Sequence, residues 1–120
     1  MQTRVLVCGG RTWGVCRDVH DPKLFRKAIN EQTALFEFLD AHVPENAIII
    51  HGGAQGADYY AGQWAIRKGH EMIVFKADWN THKKAAGPIR NQKMLEEGKP
   101  DFVIATPGGN GTADMVRRAR

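Results

Sequence analysis

Residues 47–58 read Ala-Ile-Ile-Ile-His-Gly-Gly-Ala-Gln-Gly-Ala-Asp, an apolar β-branched run cut off by a glycine pair. The run from Ala47 to His51 is short and bounded by turn residues, so it reads as a buried strand rather than a helix. The segment from about Ala57 to Lys68 then places Tyr60, Ala61, Trp64 and Ala65 at helical spacing, and Gly69 stands as its C-terminal stop. Strand, glycine turn, helix is the unit, and the rest of the chain repeats it.

Upstream, Arg4 to Cys8 is a second such strand, closed by Gly9-Gly10. Asp21-Pro22 supplies an N-cap and a proline at the first helical position. Leu24, Phe25, Ala28, Ile29, Leu35, Phe36 and Leu39 then recur every three or four residues, predicting an amphipathic helix that ends near His42, before Pro44. Downstream, Glu71 to Lys76 reads as a strand, Asp78 to Gly87 as a polar loop, and Pro88 to Glu97 as a helix closed by Gly98. Phe102 to Ala105 is the last strand, and Pro107-Gly-Gly-Asn-Gly111 leads into a final helix from Thr112 or Ala113. This alternation predicts an α/β, Rossmann-like three-layer sandwich, with a mainly parallel sheet of four or so strands and helices on both faces. A four-stranded sheet of this kind, with no strand after Arg120, is expected to expose an edge that a second copy covers, making a homo-oligomer.

The 120 residues fit one domain, 1–120, and 42% hydrophobic with 25% charged residues fits a globular chain. The longest apolar runs are four residues, so no membrane span or signal peptide is expected and the protein reads as cytoplasmic. Cys8 and Cys16 are then expected as free thiols, Cys8 buried in its strand. The net charge of +4 owes much to Arg117, Arg118 and Arg120. That excess suits an anionic ligand and does not by itself indicate nucleic-acid binding.

In a parallel sheet the strand-to-helix loops share one edge, where ligands bind. Three of them are glycine-rich: Gly9-Gly10-Arg11, Gly52-Gly53-Ala54-Gln55-Gly56-Ala57-Asp58, and Gly108-Gly109-Asn110-Gly111-Thr112. Glycine permits close backbone approach, and a helix N-terminus behind it offers free N–H groups to phosphate. Any one pair of glycines can be merely a tight turn, but three on one edge point to a binding site. Thr112 is a phosphate donor or a helix cap. Arg11 and Arg90 are the cations expected nearest this edge, as bidentate phosphate ligands or as ion-pair partners. Asp58 is a candidate for a ribose hydroxyl or a dipole-favoured carboxylate at the helix start. Trp79 and Trp13 are candidates for stacking on a base or for packing.

No Gly-x-Gly-x-x-Gly and no Gly-Lys-Ser/Thr occurs, which disfavours ordinary dinucleotide and P-loop sites. The five histidines lack metal-ligand spacing, so no metal is expected. The chain contains no serine, which excludes serine-hydrolase chemistry.

The motifs Val-Cys-Gly-Gly-Arg (7–11), His-Gly-Gly-Ala-Gln-Gly-Ala-Asp (51–58), Ala-Asp-Trp (77–79), Gly-Pro-Ile-Arg-Asn (87–91) and Pro-Gly-Gly-Asn-Gly-Thr-Ala-Asp-Met-Val (107–116), in this order, resemble the YspA-type branch of the SLOG superfamily. That superfamily includes the Lonely guy phosphoribohydrolases, the DNA-processing protein DprA and nucleotide-sensing domains. The resemblance implies a Rossmann-like domain binding a nucleotide or nucleotide-derived ligand along its glycine loops, with no other cofactor required. In the Lonely guy enzymes a helix arginine and the motif Pro-Gly-Gly-x-Gly-Thr-x-x-Glu carry glycosidic-bond cleavage. Arg90 matches the arginine and Pro107 to Thr112 the phosphate loop, while the glutamate falls on Met115, leaving Asp114 as the candidate acid.

Three functions follow for test. The first is a domain that senses or carries a nucleoside phosphate, an NAD-derived molecule or an ADP-ribose-like ligand. The second is an N-glycosidase releasing base from nucleoside 5′-monophosphates, with Arg90 and Asp114 as catalytic residues and Asp58 as the alternative acidic group. The third is a DNA-processing accessory, motivated by the pI of about 9.3 and the arginines at 117–120.

Overall fold

The structure, a computed structural model, describes residues 2–120. Four strands, β1 (Arg4–Cys8), β2 (Ile48–His51), β3 (Glu71–Val74) and β4 (Phe102–Ala105), form an all-parallel sheet in the order β3-β2-β1-β4. Leu6 pairs with Ile50 on one side and with Val103 on the other, so β1 is central and β3 and β4 are the edges.

Side-chain alternation along the strands builds two cores. Val5, Val7 and Ile49 face one side, where they meet Leu35 and Leu39 of α1 (Pro22–His42) and Ala61, Trp64 and Ala65 of α2 (Ala57–Lys68). Leu6, Cys8, Ile48 and Ile50 face the other, against Met94 of α4 (Ala86–Gly98) and Met115 of α5 (Asn110–Ala119). Because both faces are covered, the central strands carry apolar residues on both sides, Val5 to Cys8 and Ile48 to Ile50, which is why the sequence shows unbroken runs there. The result is the expected three-layer α/β sandwich.

The helix boundaries have local causes. Asp21 caps α1 by accepting from the N–H groups of Lys23 and Leu24, with Pro22 following it. Gly69 ends α2 in the left-handed conformation (φ 76°).

Elsewhere the structure departs from expectation. The loop from Asp78 contains a short helix, α3 (Trp79–His82), capped by Asp78, and a 3-10 turn, Lys83–Ala85. Helix α4 starts at Ala86, ahead of Pro88, because proline within the first turn forfeits no helical hydrogen bond. Helix α4 ends at Gly98 as expected, but Lys99, not the glycine, takes the left-handed cap position (φ 48°). A Cβ at Gly98 would come 3.3 Å from Ile50 Cδ1, a tight contact that the end of that side chain would have to relieve. Strand β3 stops at Val74, with Phe75 adding one more bond to His51, and α5 begins at Asn110. No described helix is long and apolar enough to cross a membrane.

Candidate functional site

In the strand order β3-β2-β1-β4, connections run outward in both directions from β1, so the crevice lies between the loops that follow β1 and β4. There the two loops meet backbone to backbone. The Gly10 N–H donates to the Pro107 carbonyl at 3.0 Å, and the Thr106 N–H donates to the Cys8 carbonyl at 3.0 Å. A Cβ on Gly108 would fall 2.7 Å from the Gly10 nitrogen and 2.9 Å from its Cα. A Cβ on Gly9 would overlap Thr106 Oγ1 and stand 2.7 Å from the Ala57 Cβ. These glycines are there because no side chain fits between the loops.

Above this junction opens a cavity of about 670 Å³. Of the expected site residues, Gly9, Gly10, Arg11, Asp58, Gly108, Gly109, Asn110, Gly111 and Thr112 line it. Helix α5 begins on its wall with Gly109 as N-cap and no side-chain cap, so its first N–H groups are left for a guest. Gly109 and Gly111 have nothing within 4 Å of an added Cβ, which marks the open side of the loop. Arg11 is exposed, and among the described residues it forms no ion pair; its guanidinium carbon lies 5.3 Å from the centre of the Trp79 ring. That contact supports Arg11 by about 0.5–1 kcal/mol, leaving its N–H groups available.

Trp13 lines it as well, whereas Gly52, Gly53, Gly56, Trp79, Arg90 and Asp114 do not. Gly56 (φ 77°) supports it from below, since a Cβ there would overlap the Gly10 carbonyl and lie 2.6 Å from the Arg11 carbonyl carbon. Gly52 leaves room for Arg90, whose Nη1 occupies the space a Cβ would need. Gly53 (φ 70°) turns the chain, its N–H bonded to His51 Nδ1 at 3.0 Å.

Arg90 donates to the carbonyls of Gly52 at 2.7 Å and Phe75 at 3.4 Å and to Asn91 Oδ1 at 3.1 Å. It ties the loop after β2 to the end of β3. Burial and the charge of Arg11 depress its pKa, and the Asp58 carboxylate opposes them. Asp58 in turn accepts from the N–H groups of Gly52 at 3.0 Å and Ala54 at 3.2 Å. Burial raises the Asp58 pKa, outweighing those amides and the charges of Arg90 and Arg11. Cys8, on the cavity floor, is pushed up to about 12 by burial and by the Asp58 charge, against the opposing pull of Arg90.

Asp114 faces away from the cavity lining into a polar cluster. It accepts from Arg118 Nε at 2.8 Å, Arg117 Nη2 at 3.3 Å and Asn91 Nδ2 at 3.0 Å. Burial works to raise its pKa, but these bonds and the two arginine charges hold it below the ordinary carboxylate value. Met115, at the position of the Lonely guy glutamate, lines the cavity instead.

Sequence reasoning missed Asn91 and Glu31. Asn91 is buried and joins three parts of the site, accepting from Arg90 and donating to the Gly111 carbonyl and Asp114. Its signal was its place directly after Arg90 in the quoted motif. Glu31, on α1, lines the cavity with Trp13, and nothing in its helical spacing marks it. Trp79 is half exposed beyond the cavity, on α3. Among the described residues no group of three or more His, Cys, Asp or Glu side chains is gathered to hold a metal.

Over 127 aligned residues, covering 98% of this chain and 88% of the relative, the sequence is 31% identical to the Gene 61 protein of Mycobacterium phage D29. No solved structure matches. The model of the YspA, cpYpsA-related SLOG family matches residues 3–82, which include the first two glycine loops and Asp58. Two thirds of the chain therefore match that model, and the chain belongs to the YspA, cpYpsA-related SLOG family.

Proposed function

We propose that the chain binds a nucleotide or nucleotide-derived ligand in the cavity between the loops after β1 and β4, as a sensor or carrier. The observation that carries the reading is the convergence, at the point where strand order reverses, of close-packed glycine loops with the uncapped start of α5. Each anionic contact at such a helix start contributes about 0.3–1 kcal/mol. Arg11 adds a guanidinium that makes no ion pair among the described residues. Membership of the family supports a nucleotide-related function in the broad sense.

Carriage is favoured over glycosidic-bond cleavage by one specific feature. At the position of the Lonely guy glutamate stands Met115, and the adjacent Asp114 is outside the cavity lining with its oxygens taken by two arginines and Asn91; the carboxylates that do line the cavity, Asp58 and Glu31, come from α2 and α1 instead. A general base or an oxocarbenium-stabilising group needs a free oxygen directed at the substrate. In this reading Arg90 is a positioning residue for the loop after β2, and Arg11 is the cation that meets phosphate.

The test is incubation of the purified protein with nucleoside monophosphates, NAD and ADP-ribose, followed by mass spectrometry of bound and free fractions. Intact ligand in the bound fraction, with no free base, is the expected result. Accumulation of free base with ribose 5-phosphate would overturn the carrier reading in favour of the glycosidase. Recovery of no nucleotide would overturn both.

A further inference from the structure

The cavity has a second wall that the phosphate reading does not use. Trp13 and Gly14, in the loop after β1, are fastened to α1 by three hydrogen bonds. Trp13 Nε1 donates to the Glu31 carbonyl at 3.0 Å, the Gly14 N–H donates to Glu31 Oε1 at 3.0 Å, and Gln32 Nε2 donates to the Gly14 carbonyl at 2.8 Å. Gly14 sits at φ 75°, where a Cβ would meet Gln32 and Tyr60 at 2.9 Å. The loop is therefore locked onto the helix, and Glu31 is held in one place on the wall.

Glu31 is partly buried, lines the cavity, and pairs with no Lys, Arg or His among the described residues. Its place at the tenth residue of α1 is too far along for the helix dipole to compensate its charge. A carboxylate with no ion pair, in a cavity whose opposite wall is built for anions, opposes a second phosphate beside it and calls for hydrogen-bond donors. Its Oε1 already serves Gly14, which leaves Oε2 and the second lone pair of Oε1 for hydroxyl groups.

We propose that Glu31 determines specificity by accepting the vicinal 2′ and 3′ hydroxyls of a ribose, so that the site takes ribonucleoside 5′-phosphates with a free diol and rejects 2′-deoxy and 3′-phosphorylated nucleotides. The proposal rests on the nucleotide reading of the same cavity and adds the end of the ligand away from the phosphate loop. A hydrogen bond to a charged acceptor corresponds to roughly a ten- to hundredfold preference.

The experiment is calorimetric titration of wild type and Glu31→Gln with the four ribonucleoside 5′-monophosphates, their 2′-deoxy counterparts, adenosine 3′,5′-bisphosphate and inorganic pyrophosphate. Glutamine keeps the side-chain oxygen that Gly14 needs, and a thermal melt checks that the variant folds. The expected result is that wild type prefers at least one ribonucleotide over its deoxy form by about tenfold or more. In Glu31→Gln that preference collapses, adenosine 3′,5′-bisphosphate gains affinity, and pyrophosphate, which has no diol, binds at least as tightly. Equal wild-type affinity for ribo and deoxy forms overturns the proposal, even if the variant cannot be folded, and leaves the nucleotide reading standing. A preference that persists in a folded Glu31→Gln has the same consequence. Failure of every nucleotide and of pyrophosphate to bind overturns the nucleotide reading, and this proposal with it.

Discussion

Gly108→Ala is the sharpest perturbation of the junction between the two loops. Its added methyl would overlap Thr112 Oγ1 and stand 2.7 Å from the Gly10 nitrogen, where ordinary contact begins at 3.4 Å. The threonine can rotate away, but the Gly10 backbone cannot, because its N–H is bonded to the Pro107 carbonyl at 3.0 Å. The loops must therefore separate by about 0.7 Å, and overpacking of this kind costs about 1–3 kcal/mol. At roughly 3–6 °C per kcal/mol for a domain of this size, the melting temperature should fall by about 3–18 °C. Because the same loops form the cavity wall, nucleotide affinity should fall by about fivefold to a hundredfold. Gly111→Ala is the matched control: nothing lies within 4 Å of its Cβ, and its φ is not positive. Differential scanning fluorimetry and calorimetric titration of both variants read the two quantities. A Gly108→Ala protein as stable as wild type, or a Gly111→Ala protein that melts as early as Gly108→Ala, would refute the steric reasoning.

Three other outcomes follow from the buried polar groups. Burial and the charge of Arg90 hold the His51 pKa below 6.5, so between that depressed value and 6.5 the unfolded chain binds more protons than the folded one. Stability should therefore fall as pH drops below about 6.5, more steeply in wild type than in His51→Asn, as read by urea denaturation at successive pH values. Asp114 has a depressed pKa, so its contribution is present above 3.8 and is lost as pH falls through its folded value. Asp114→Asn should lower stability by about 1–3 kcal/mol at neutral pH while ligand binding persists, measured by chemical denaturation and titration. Cys8, buried with its pKa near 12, should resist alkylation at pH 8 while Cys16 is modified, giving a single adduct by mass spectrometry of the native protein.

The sheet was legible because its signals are local. Each strand is a short apolar run, and the glycine loops mark where three of them end. The starts of α4 and α5 were placed about two residues late because Ala86-Gly87-Pro88 and Asn110-Gly111 are weak helix formers that tertiary packing holds in helical form. Helix α3 is four residues long with no apolar periodicity, and its local signal is the Asp78 cap. Within the site, the loops after β1 and β4 could be read from their glycines. The fate of Arg90 could not, because its acceptors on Gly52 and Phe75 lie 38 and 15 residues away. Glu31 was invisible for the same reason: its bond to Gly14 spans 17 residues, and on a helix it resembles any solvated glutamate.

The measurement that bears most directly on the central claim is a two-dimensional amide NMR titration of the isotope-labelled protein with a ribonucleoside 5′-monophosphate. The account predicts saturable shifts concentrated in Gly9 to Trp13 and Gly108 to Thr112, the residues that line the cavity at the β1–β4 junction. Saturable shifts confined to another face of the molecule, or no shifts at millimolar ligand, would contradict it.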